Sequence, residues 1–192
     1  MGDRMIKWNF HPLTPGRWDD FEKLFGPRGA YAGCWCMLWR LARKDFERNQ
    51  GEGNRKAMKA LVDSGKIPGI LAYAGKEPAG WCSIARREDF PVLERSRVLK
   101  RLDDKPVWSI VCFFIGKMHR GRGLGEELIR AAVRYAGKRG AKIVEAYPAA
   151  DKGKTLPPFS VFMGVPKIFE RAGFKECARP SASKLIYRYW IV

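Results

Sequence analysis

From Val107 to Ile115 nine residues run without a charge and are rich in β-branched and aromatic side chains. That is the pattern of a strand buried on both faces in mid-sheet. From Leu124 the period changes: Leu124, Leu128, Ala131, Ala132 and Tyr135 fall on one stripe of an amphipathic helix. Glu126 and Glu127 in its first turn and Lys138 and Arg139 in its last complement the helix dipole, and Gly140 ends it. A second strand covers Lys142 to Tyr147, with Ile143, Glu145 and Tyr147 on one face and Val144 and Ala146 on the other.

The flanks read less sharply. Arg4 to Phe10 suits a strand, and Thr14 with Pro15 opens a helix to Phe25 that Gly26 stops. Past a loop through Gly33, two helices are predicted over Trp35 to Phe46 and Asn54 to Val62. Ile70 to Ala74 and Ala79 to Ala85, joined by Gly75-Lys76-Glu77-Pro78, form an antiparallel hairpin. A short helix near Asp89 to Arg95 and a polar link through Asp103 and Lys105 lead to the central strand, and Phe174 to Ala178 with Lys184 to Ile191 closes the sheet. With 192 residues, 46% of them hydrophobic, and no repeat, the chain is expected to form one domain over residues 1–192. Its N-terminus has no apolar signal core and its apolar runs are short of a membrane span, so a cytoplasmic protein without a membrane partner is expected. Five cysteines, an odd count outside a secretory context, predict reduced thiols.

Between strand and helix, Gly121, Gly123 and Gly125 remove side chains where the helix opens, and Arg120 and Arg122 add charge. Unpaired N–H groups at a positive dipole end suit an oxyanion. A nucleotide-triphosphate loop requires Lys-Ser or Lys-Thr after its glycine, and neither pair follows Gly121, Gly123 or Gly125. A dinucleotide fingerprint places a third glycine where Glu126 stands, although Glu145 sits where a ribose-binding acid belongs. The third pattern, Arg-x-x-Gly-x-Gly, is matched by Arg120, Gly123 and Gly125. On this loop the chain resembles the GNAT superfamily of N-acetyltransferases. Lys167-Ile168-Phe169-Glu170-Arg171-Ala172-Gly173-Phe174 is similar to the family's LYEKxGF ending, so the resemblance spans Val107 to Phe174.

The resemblance implies an α/β (α+β) fold: a single mixed, mostly antiparallel twisted sheet of six to seven strands, flanked by helices and splayed at two central parallel strands. It implies that Arg120, Gly121, Arg122, Gly123, Leu124 and Gly125 bind the pyrophosphate of acetyl-CoA, and that backbone groups of Phe113, Phe114 and Ile115 pair with the pantetheine arm. The implied reaction is direct attack of a primary amine on the thioester in a ternary complex. Two departures stand out. Phe169 replaces the family's acid tyrosine, and Phe162-Met163-Gly164 replaces an asparagine.

The central strand offers no carboxylate or histidine, so the expected base is Glu145 and the expected acid Tyr147, with Glu88 and Asp89 in reserve. For Glu145 a structural ion pair with one of the 37 lysines and arginines stands beside the catalytic reading. Trp35, Trp39 and Trp81 are expected to line an acceptor pocket, against plain core packing. The stretch from Asp151 to Pro166 reads either as a lid over the cofactor or as a surface excursion. Cys34-Trp35-Cys36 lacks a second ligand pair, and with only His11 and His119 in the chain no metal site is expected. A net charge of +17 draws anions such as CoA. It also keeps open a non-catalytic or weakly catalytic relative that binds CoA, nucleic acid or ribosomes, with nucleic acid not favoured because the charges are dispersed. An acidic peptide or small anionic acceptor is a third possibility, and the chain is expected as a monomer or homodimer.

Overall fold

In the computed structural model, which describes residues 6–150 and 161–192, the uncharged run is the middle strand of one sheet. The strands are β1 (Trp8–Pro12), β2 (Gly69–Ala74), β3 (Glu77–Arg86), β4 (Trp108–Ile115), β5 (Ile143–Ala146), β6 (Lys175–Ser181) and β7 (Lys184–Trp190), in the order β1-β2-β3-β4-β5-β7-β6. Every neighbouring pair is antiparallel except β4 and β5. This is the mixed seven-stranded sheet that the resemblance implied. The parallel pair is short, with only Trp108, Ser109 and Ile110 facing Val144, Glu145 and Ala146. Beyond Ile110 the two strands part, and this is the splay.

A bulge shapes β4 at that point. Ile110 faces Ile84 and Cys112 faces Ser83, leaving Val111 unopposed. The extra residue turns the later side chains. Phe113 and Ile115 join the core under α5 (Leu124–Gly137), whereas Cys112 and Phe114 face the core under α1 (Trp18–Phe25) and α3 (Glu52–Asp63). The helical stripe is buried where it was expected, at Leu124, Leu128, Ala131 and Ala132, with Tyr135 half-buried against Trp108.

One expected helix is absent. Residues 35–42 form turns, and helix resumes only at α2 (Arg43–Arg48). Trp35, Cys36 and Met37 are all buried, and three successive residues cannot share one helix face. The chain instead winds through positive φ at Ala30, Ala32, Trp35 and Cys36. Gly33 anchors this winding: its carbonyl accepts from Gly51 N–H at 3.0 Å and Asn54 Nδ2 at 3.1 Å. At Gly33, φ is +67° and a Cβ would lie 2.3 Å from the Gly51 nitrogen. Gly33→Ala is therefore expected to cost about 2 kcal/mol or more, as left-handed strain and overpacking combine, read as an earlier midpoint in urea unfolding. The remaining helices are α4 (Pro91–Glu94) and α6 (Pro166–Arg171). Among the described residues no helix is long and apolar enough to cross a membrane.

Candidate active site

The glycine turn lies at the C-terminal end of β4 and opens α5. Gly121 and Gly123 both have positive φ, at 73° and 76°, and Gly123 is the helix N-cap. A Cβ on either would meet nothing within 4 Å, so the turn is an open cradle. Intrahelical bonding starts with Glu126 N–H to Gly123 carbonyl at 3.1 Å, which leaves the Leu124 and Gly125 N–H groups ahead of the first intrahelical donor. Arg120 Nε donates to the Ile115 carbonyl at 3.0 Å, fixing the loop to the strand end while Arg120 and Arg122 remain exposed. Leu124 is buried against β3, so its side chain anchors the cradle. This set of backbone donors and guanidinium groups fits a pyrophosphate.

In the splay, Phe113 N–H donates to the Phe162 carbonyl at 2.6 Å. This backbone group, expected to pair with pantetheine, is already used within the chain. Phe169 stacks edge-on against Phe113 and Phe174 in the core, with no hydroxyl to offer. Of the 151–166 stretch, only residues 161–166 lie within the described residues, so the lid reading falls mostly outside them.

Glu145 and Tyr147 do come together, in a sealed ionic cluster. Glu145 is fully buried. Its Oε1 accepts from Arg87 Nη1 at 2.8 Å and Tyr147 hydroxyl at 2.6 Å, and its Oε2 accepts from Arg188 Nε at 2.8 Å. Arg188 continues to both oxygens of Asp103, and Arg87 to Glu94 and the Leu99 carbonyl. Burial, with the Glu145 charge beside it, pushes the Tyr147 hydroxyl well above its ordinary value. The ion pair weighed for Glu145 is thus present, and sequence reading missed its partners: Arg87 and Arg188 lie 58 and 43 residues away. Glu88 instead pairs with Arg101.

The three tryptophans do not share one pocket. Trp81 is fully buried, packed against Phe21 and Phe25, and Trp35 is stacked on Phe25. Trp35 also lines a cavity of about 660 Å³ with Glu22, Lys23, Glu52 and Arg55. Trp39 belongs elsewhere, half-buried with Cys112 and Phe162 around the core of Val111, Tyr147 and Ile186. Its Nε1 is buried without a partner among the described residues.

Cys36 and Cys112 form a further pair that the Cys-x-Cys spacing did not reveal. A hydrogen bond from Cys112 is the largest influence on the Cys36 thiol and, with the Trp81 Nε1 donor at 3.2 Å, brings it down to about 7 despite burial. The same bond, and burial, push Cys112 well up. All five cysteines are free thiols, and among the described residues no group of three or more His, Cys, Asp or Glu side chains could hold a metal ion.

The model of the acetyltransferase (GNAT) family matches residues 35–154, well over half of the chain. The chain belongs to this family. A GNAT-family acetyltransferase of Streptococcus agalactiae shares the fold, with a TM-score of 0.57 at 16% identity, over 96% of each chain. So does the PaiA N-acetyltransferase of Thermoplasma acidophilum, solved with coenzyme A, at 0.55 and 10%, over 96% of this chain and 99% of that one. NAA60 of Arabidopsis thaliana, solved with acetyl-CoA, scores 0.51 at 16%, over 96% of this chain and all of that one. No curated protein matches this GNAT chain in sequence.

Proposed function

We propose that this GNAT protein is an acetyl-CoA-dependent N-acetyltransferase acting on a primary amine in a ternary complex. The open glycine cradle at the head of α5, on the end of the splayed β4, carries this reading. Pyrophosphate held there by the Leu124 and Gly125 N–H groups and by Arg120 and Arg122 directs the thioester along β4 toward the bulge. The amine nitrogen attacks the carbonyl carbon, a backbone N–H of β4 holds the developing oxyanion, and the C–S bond breaks. With a thiol pKa near 8.5, CoA leaves as a thiolate without a dedicated acid, which accommodates Phe169. The amine proton passes to water. Glu145 and Tyr147 enter as the rigid floor of the site rather than as proton carriers, because both carboxylate oxygens are bound by buried donors.

Thermal unfolding with acetyl-CoA, NAD and a short DNA duplex in parallel tests this reading. Acetyl-CoA at a hundred times its Kd is expected to stabilise by about 2.7 kcal/mol, raising the midpoint by roughly 5–10 °C, with no shift from NAD. Release of free CoA thiol on adding amines then tests transfer. A salt-sensitive DNA shift without an acetyl-CoA shift would favour the binding-module reading.

A further inference from the structure

We propose that a groove between residues 97–102 and β6 docks an acidic peptide. The groove has a volume of about 460 Å³, within the range of ligand clefts. Arg97, Lys100, Arg101 and Arg179 line it, and among the described residues no acidic side chain does. Val98 and Leu102, 44% and 36% exposed, supply apolar surface between these charges.

The four cations are not equivalent. Arg101 is bound to Glu88 and Glu94, and Arg179 to both oxygens of Glu176, so these two are held in place. Arg97 and Lys100 have no hydrogen bond or ion pair among the described residues. An unpaired cation on a +17 chain is ordinary solvated surface. Two unpaired cations flanking exposed valine and leucine, in a groove without an acid, instead match a ligand with carboxylates and an apolar side chain. The 660 Å³ cavity is the contrast: Arg55 there pairs with Glu22 and Glu52, and Lys23 with Glu77, so its lining charges are already satisfied.

A peptide suits the groove better than RNA does. Among the described residues that line it none is aromatic, so bases find no stacking platform there. The position also suits a partner of the central strand. Ile186 and Ala178, which line the groove, pack on the same core as Val111 and Cys112, on the opposite face of the sheet from α5. Docking is read from the groove alone and stands apart from acetyl transfer.

The test is fluorescence anisotropy of a short labelled peptide of alternating glutamate and leucine, without acetyl-CoA. Saturable binding that weakens with salt is expected, falling at least about tenfold in Arg97→Glu/Lys100→Glu as two charge-assisted contacts are lost. Lys66→Glu/Lys76→Glu, with the same net charge but exposed positions outside the groove lining, should bind as the parent does. A cooperative ligand-free thermal transition at the parent's midpoint in both variants confirms that they fold. Equal affinity in the groove variant, equal loss in the control variant, or a uridine-rich RNA oligomer bound through Arg97 and Lys100 while the peptide is not, would each overturn the proposal.

Discussion

Glu145→Gln is expected to lower the unfolding free energy by about 3–5 kcal/mol while leaving turnover per folded molecule within a few-fold of the parent. The carboxylate sits between the Arg87 and Arg188 guanidinium groups, each at 2.8 Å, and all three side chains are buried. Removing its charge takes from both guanidinium groups the one buried carboxylate they share and leaves them only the more exposed Glu94 and Asp103, so a buried ion pair is broken on each side. In thermal unfolding the midpoint should fall by roughly ten degrees or more, and kcat should be measured well below that midpoint. A proton-transfer role predicts instead a hundredfold or greater loss of kcat per folded molecule, whatever the midpoint does.

Gly123→Asp should weaken acetyl-CoA binding by about a hundredfold, near 2.7 kcal/mol, with little change in the ligand-free midpoint. Aspartate tolerates a left-handed backbone better than most residues and is a good N-cap, and at Gly123 an added Cβ meets nothing within 4 Å. The fold is therefore preserved. What changes is the sign of the charge where the cradle would receive a pyrophosphate. Calorimetric titration with acetyl-CoA decides it, and an unaltered Kd would remove the cradle from the binding site.

What the sequence made legible was local. The β4–glycine–α5 unit announces itself because strand burial, left-handed turn residues and a helical stripe each depend on near neighbours, and the alternation along Ile143 to Tyr147 places Glu145 and Tyr147 on one face. Contacts between distant segments left no such trace. Nothing in the spacing of Arg87, Glu145 and Arg188 foretells their meeting, and nothing at Phe162 foretells a bond to Phe113. The turns after Gly33 read as helix because apolar residues crowd there, but burial follows no helical period: Trp35, Cys36 and Met37 are buried in succession and Leu38 is exposed. The bulge at Val111 was hidden for a related reason: it is a property of pairing with β3, not of β4 alone.

The brevity of the β4–β5 pairing has a mechanical consequence. With three residue pairs along it, this seam joins two antiparallel plates, β1 to β4 and β5 to β7, and the Arg87–Glu145–Arg188 cluster acts as a rivet across it from the end of β3 through β5 to β7. A molecule wedged into the splay then levers against a charged hinge pin rather than tearing a continuous ladder of backbone bonds.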